Sequence, residues 1–111
     1  MGKDAPYLGE LEQMMLLAIL QLDDDAYGLN ILRELEERAG RTVSPGALYA
    51  TLDRLEGKGV VRSRFAEPEP GRGGKPKRFM SLTEKGRAAL QAARAAWQRM
   101  SEGLEGVLGG G

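Results

Sequence analysis

The 111-residue chain has no cysteine and no histidine. Without cysteine there is no disulfide framework and no thiol nucleophile, and the absence fits a reducing compartment. Without histidine there is no imidazole base, no Ser–His triad and no basis for most zinc sites. Long apolar runs are also missing. The longest, Met14 to Leu20, falls far short of the ~20 residues that span a bilayer. The opening MGKDAPYLGE lacks the apolar stretch of a signal peptide. The expectation is a soluble, cytoplasmic, single-domain protein with no membrane partner. An enzyme without His or Cys would need carboxylates or lysines, and the clustered acids, Asp23, Asp24 and Asp25 with Glu34, read as helix capping and a solvated face. Three successive aspartates do not have the alternating ligand spacing of a calcium loop. No catalytic residue, metal or cofactor is therefore expected.

The charge is balanced overall but not locally. There are 16 basic and 16 acidic residues. From Arg62 to Arg78, six cations (Arg62, Arg64, Arg72, Lys75, Lys77, Arg78) face two anions (Glu67, Glu69), a local +4 that leaves −4 for the rest. Such segregation suggests a basic patch on a domain otherwise kept acidic. The plainer alternative is a solvated loop that happens to be basic.

The chain is organised around VSPGALYATLDRLEGKGVVRSRF, residues 43–65. Ser44 can cap a helix, and Pro45 suits its first position, where a missing N–H costs nothing. Leu48, Leu52 and Leu55 form one apolar stripe. The opposite face carries Gly46, Ala47, Ala50, Asp53 and Arg54, with Tyr49 at its edge. Gly57 and Gly59 stop the helix. Val60 to Phe65 then reads as a strand, and Arg78 to Leu82 as its return partner. Between them, AEPEPGRGGKPK has three prolines and three glycines in twelve residues, which excludes a helix. Its Gly-Arg-Gly-Gly-Lys segment resembles a minor-groove arm, with a cation on an unhindered backbone. It does not have P-loop spacing. A helix that is apolar on one side, small and polar on the other, and followed by a basic hairpin suggests a winged helix-turn-helix whose second helix enters the DNA major groove. An ordinary amphipathic helix in a small α+β domain is the alternative.

The flanking segments complete the pattern. Leu8, Leu11, Met15, Ala18 and Leu22 mark a first helix, with Met14, Leu17 and Leu20 widening its stripe; such a helix is a core element, a subunit contact, or both. Asp25 is the expected cap of a second helix, Tyr27 to Ala39, with Leu29, Leu32 and Leu35 inward, Ile31 beside them and Gly40 ending it. Thr42 and Val43 are placed to add a short strand beside the hairpin. Thr83 caps a last helix, with Ser81 and Glu84 as a rival capping box. There Gly86, Leu90, Ala93, Trp97, Met100, Leu104 and Val107 follow steps of 4, 3, 4, 3, 4 and 3, a heptad seam that suggests dimerisation, while Gly103, Gly106 and Gly109 to Gly111 weaken the end of the helix. Packing against its own domain is the alternative. Trp97 on this seam is either interface core or one wall of an apolar pocket for a planar ligand shared by two subunits.

In this order, the apolar helix, the Tyr27-Gly28 pair, VSPGALYATLDRLEGKGVV, the Gly-Arg wing and RFMSLTEKGRAAL resemble the PadR family of bacterial transcriptional regulators. The likeness runs from Leu8 to Leu90, and the length suits the branch with one C-terminal helix. The resemblance implies a mainly α (α+β) fold: a winged helix-turn-helix DNA-binding domain over 1–82, with a two-stranded wing, and a C-terminal dimerisation helix over 83–111. It implies a homodimer, joined through the last and first helices, that binds a palindromic operator in double-stranded DNA, commonly as a repressor. Small molecules release some members. Carried over by motif, the DNA contacts are Ser44, Gly46, Ala47, Tyr49, Ala50 and Arg54 on the recognition helix and Arg72, Lys75 and Lys77 on the wing. Tyr27 fits either a phosphate contact or a buried role. Dimerisation falls to Leu90, Ala93, Trp97, Met100 and Leu104, and Trp97 is the candidate for an effector. With small side chains at Gly46, Ala47 and Ala50, direct readout rests on Tyr49, Arg54 and thymine-methyl contacts, and DNA shape adds the rest. A winged helix that serves a protein partner, without its own DNA site, is the competing reading.

Overall fold

The computed structural model describes residues 6–67 and 76–109. Five helices and one hairpin follow in the order α1 (Glu10–Leu22), α2 (Gly28–Ala39), α3 (Pro45–Gly57), β1 (Val61–Ala66), β2 (Lys77–Leu82), α4 (Glu84–Ser101) and α5 (Glu105–Leu108). One core joins all of them except α5, which has no buried residue. Met15, Leu16 and Ile19 of α1 meet Ile31 and Leu35 of α2, Leu48, Leu52 and Leu55 of α3, and Val60, Val61, Met80, Leu82 and Leu90 beyond. The recognition-helix stripe is therefore consumed completely by the domain's own interior.

Local chemistry sets the element ends. Glu12 reaches back to the Gly9 N–H at 2.8 Å, so α1 begins after Gly9. The α3 helix starts as expected: Ser44 Oγ accepts the Ala47 N–H at 3.1 Å, with Pro45 in the first turn. Gly40 closes α2 at φ 64°, a left-handed position that glycine takes without strain. Thr83, and not Ser81, caps α4: its hydroxyl accepts the Gly86 N–H at 3.0 Å and donates to the Gly59 carbonyl at 2.7 Å. Gly86 lies against the Val60 carbonyl, where a Cβ would not fit. LTEKG and GKGVV thus form one joint between the hairpin and α4.

The hairpin is antiparallel, with Val61 opposite Leu82 and Ala66 opposite Lys77. A third, one-residue strand lies beside it, but not at Thr42–Val43. Tyr27 bridges Phe79, and the Met80 N–H donates to the Ala26 carbonyl at 2.8 Å. The chain between α1 and α2 passes the outer edge of β2, so its backbone groups are the ones within reach.

Three further expectations are corrected. Tyr27, not Asp25, is the N-cap of α2 and provides no side-chain cap; the three aspartates form a 3₁₀ turn of their own, and the Asp25 carbonyl accepts from Asn30 Nδ2 at 3.0 Å. The buried face of α2 runs through Gly28, Ile31 and Leu35, leaving Leu29 exposed, because Gly28 is the residue pressed inward at the start of the helix. The heptad seam does not continue to Val107. Helix α4 ends at Ser101, and Gly103 at φ 83° turns the chain before α5, so Leu104 and Val107 leave the stripe. Among the described residues, no helix is long and apolar enough to cross a membrane.

Candidate nucleic-acid interface

The outer face of α3 is open. Ser44, Gly46, Ala47, Tyr49, Ala50 and Arg54 are all exposed, while Leu48, Thr51, Leu52 and Leu55 point inward. A Cβ at Gly46 would meet nothing within 4 Å. The face is smooth enough for close approach to a broad polar surface such as a DNA groove, and the helix N-terminus contributes its partial positive charge.

Tyr49 is 45% exposed, and its ring lies across the first turn of α2. The space a Cβ would take at Gly28 is bounded by the Tyr49 hydroxyl and, at 3.0 Å, by its Cζ. The glycine of the Tyr27-Gly28 pair therefore lets the recognition-helix tyrosine lie flat. Tyr27 itself is half-buried. Its ring meets Phe79 edge-on at 5.4 Å, with Lys77 Nζ 4.5 Å from its centroid and Arg64 4.8 Å from that of Phe79. Two wing cations are thus held over aromatic rings on one face of the hairpin.

Arg54 is exposed but not isolated. Its Nη2 donates to Thr51 Oγ1 at 3.1 Å, and its Nε lies 3.7 Å from Glu12 Oε2. Lys58, at the end of α3, bonds both Glu12 oxygens at 2.8 and 2.9 Å and the Tyr7 carbonyl at 2.8 Å. Glu12 is a buried carboxylate between α1 and α3. Burial pushes its pKa up, but the Lys58 hydrogen bond, the Gly9 N–H and the charges of Lys58 and Arg54 outweigh this and hold it below the ordinary value. Sequence reasoning missed Glu12. The signal was an acid inside the apolar series Leu8, Leu11, Met15.

On the wing, Arg62, Arg64 and Lys77 are exposed; Arg72 and Lys75 lie outside the described residues. Arg78 does not belong to the open basic patch. It pairs with Glu56 at 2.6 Å and Asp53 at 3.1 Å, and its side chain is only 19% exposed. The local charge excess read from sequence overstates the cations that face outward, because two anions of α3 neutralise one of them.

On α4, Trp97 is 63% and Met100 79% exposed; Leu17 and Leu20 of α1 are exposed too, and Leu17 lines a shallow groove with Trp97. A groove of about 430 Å³ between the N-terminal segment and α4 is lined by Tyr7, Leu8, Gln13, Ala89, Ala93 and Trp97. Of the expected dimer residues, Leu90 is buried in the chain's own core and Ala93 is half-buried, while Leu104 is exposed beyond the break.

Three packed helices, a recognition helix with an open face and a basic hairpin beside it define a winged helix-turn-helix DNA-binding regulator. Comparison with known proteins makes the assignment narrower. Residues 16–92 match the transcriptional regulator PadR-like family. Transcriptional regulator Rv3488 of Mycobacterium tuberculosis is 38% identical over 88 residues, covering 79% of this chain and 75% of that protein. A PadR-like transcription factor from Bacteroides fragilis superposes with a TM-score of 0.68 at 26% identity, covering 87% of this chain and 89% of that one. A PadR-like transcriptional regulator of Bacillus cereus does so with a TM-score of 0.67 at 25% identity, covering 91% and 93%. The chain belongs to the PadR-like family of transcriptional regulators.

Proposed function

We propose that the protein is a homodimeric repressor that binds a palindromic operator, with residues 1–82 as the DNA-reading part and residues 83–111 as the dimerisation part. A regulator of this kind works beside the chromosome, in the cytoplasm. The two α3 helices enter successive major grooves about 34 Å apart. Ser44, Gly46, Ala47 and Ala50 let the backbone approach the bases; Tyr49 and Arg54 make the longer contacts. Lys77 meets phosphates, and so do Arg72 and Lys75, which precede it in the sequence; Tyr27 steadies Lys77 from below. Release of condensed counterions supplies much of the affinity and makes it fall with salt.

The observation that carries this reading is the exposed, small-residue face of α3 beside a hairpin that presents Arg62, Arg64 and Lys77 to solvent. The dimer reading is supported by Trp97, Met100, Leu17 and Leu20, apolar side chains left outside the core on α4 and α1. A planar apolar effector would lie against Trp97. It weakens DNA binding only if it favours a spacing of the two α3 helices that the operator does not accept.

Selection of binding sequences from a random duplex pool tests the proposal. The expected result is a palindrome with half-sites about one helical turn apart. Sequence-blind, salt-sensitive binding alone would contradict it. Titration of Trp97 fluorescence with planar aromatic compounds tests the effector: a saturable quench at one ligand per dimer is expected, and a flat response across a varied panel counts against it.

A further inference from the structure

The hairpin is fastened to α3 by a compact group of charges that DNA contact does not require. Glu56, on the last turn of α3, accepts from both strands: from Ser63 Oγ of β1 at 2.9 Å and from Arg78 Nη2 of β2 at 2.6 Å. Arg78 Nη1 reaches Asp53, one helical turn earlier, at 3.1 Å. One guanidinium therefore holds two points on the recognition helix, and one carboxylate holds both strands. Ser63 stands opposite Met80, and Arg78 opposite Phe65, so both side chains lie on the hairpin face turned toward α3. The Arg78 Nε is buried and has no partner among the described residues, as in a side chain packed into place and not one reaching for solvent.

The electrostatics sharpen the question. Asp53 and Glu56 are exposed anions on the helix that approaches DNA, where they repel phosphate. Placing two of them there is unfavourable for a DNA reader unless they do something else. We propose that Arg78, Glu56, Asp53 and Ser63 form a brace that fixes the angle between the wing and the recognition helix, which makes Arg78 a positioning residue for DNA binding and not a phosphate contact. The inference rests on the DNA-binding reading above. The brace sets the distance between the groove that α3 enters and the phosphates that Arg62, Arg64 and Lys77 can reach. The planar fork of Arg78 is what allows one cation to bond two carboxylates at once; an ammonium holds the charge without the geometry.

Two variants of the full chain, titrated against the selected operator at several salt concentrations, give opposite answers for a brace and for simple electrostatics. Arg78→Lys conserves charge. The brace predicts about fivefold weaker binding and a salt slope shallower by roughly 0.9 for each phosphate that the wing no longer neutralises; unchanged affinity and slope overturn it. Glu56→Ala removes an anion from the DNA-facing side and frees Arg78. Simple electrostatics predicts tighter binding and a steeper slope, and that result overturns the brace; weaker binding with a shallower slope supports it. Glu56→Gln keeps one acceptor oxygen, for Arg78, and turns its amide NH2 to Ser63 Oγ, which accepts in place of donating; the brace predicts binding within about twofold of the parent, since neutral and charged acceptors differ modestly at an exposed site. Thermal melts of each variant confirm that the fold is intact, and Arg78→Lys decides the matter should Glu56→Ala fail to fold. If the parent chain selects no operator, the DNA-binding reading falls and the brace with it. If the parent binds and Arg78→Lys and Glu56→Ala bind equally well, only the brace falls.

Discussion

Helices α3 and α4 begin alike and end in different circumstances. Each is capped by a hydroxyl that accepts the N–H three residues on, Ser44 in one and Thr83 in the other. Each carries an apolar stripe. In α3 the stripe of Leu48, Leu52 and Leu55 is wholly buried, and what remains outside is small and polar. In α4 only Gly86, Ala89 and Leu90 near the start are buried, and Trp97 and Met100 further on face solvent. A stripe used up by its own domain frees the opposite face for DNA. A stripe left over calls for a partner outside the chain. The same periodicity thus has two meanings, and only the position of the rest of the fold tells them apart.

The largest expected effect separates the two stripes directly. Leu52→Ala opens a cavity in the core and costs about 2–5 kcal/mol of folding stability, measured by urea unfolding. Trp97→Ala, on the unused stripe, leaves the isolated fold nearly as stable but weakens self-association by on the order of 2 kcal/mol, read by sedimentation equilibrium. Equal losses of stability from both substitutions would erase the distinction. A smaller effect is expected at the contact between α2 and α3. Gly28→Ala displaces the Tyr49 ring and weakens operator binding by about 1 kcal/mol, and the same change made in a Tyr49→Ala background costs little further. Additive losses would place the role of Gly28 elsewhere.

The smallest effect concerns Glu12, which ties α1 to the end of α3. Its pKa is lowered in the folded chain, so the unfolded chain binds the proton more readily. The group therefore stabilises the fold above its unfolded pKa, about 4.3, and that contribution is lost as pH falls through the lower, folded value. Glu12→Gln should flatten this part of the stability–pH curve without altering the curve near neutrality in shape. An unchanged acid limb would show that the Lys58 and Arg54 contacts do not hold the carboxylate charged.

Much of the fold is legible in the sequence wherever the signal is local. Ser44-Pro45, Gly40 and Thr83 act within one turn of where they stand, and their roles depend on few distant residues. The strands, too, follow from Val60–Phe65 and Arg78–Leu82 to within a residue. What escapes a sequence reading is set by distant partners. The one-residue strand forms at Tyr27, where Phe79 lies beside it, and not at Thr42–Val43, which no local propensity could have told. Arg78 reads as one more wing cation until Asp53 and Glu56 are brought within reach by the turn through Gly59. Glu12 carries no role in the sequence pattern, because its partner Lys58 stands 46 residues away. The break after Ser101 has a local mark, Gly103, but a continuing heptad outweighs it in the sequence pattern.

On the proposed reading, α3 and the wing contact DNA while α1 and α4 pair the subunits. Hydroxyl-radical footprinting of the protein on its selected operator examines both halves at once. The expected result is two equivalent protected tracts on one face of the duplex, about one helical turn apart, each flanked by wing protection that disappears when Arg72, Lys75 and Lys77 are replaced together. One tract, or diffuse protection without a two-fold centre, would contradict it.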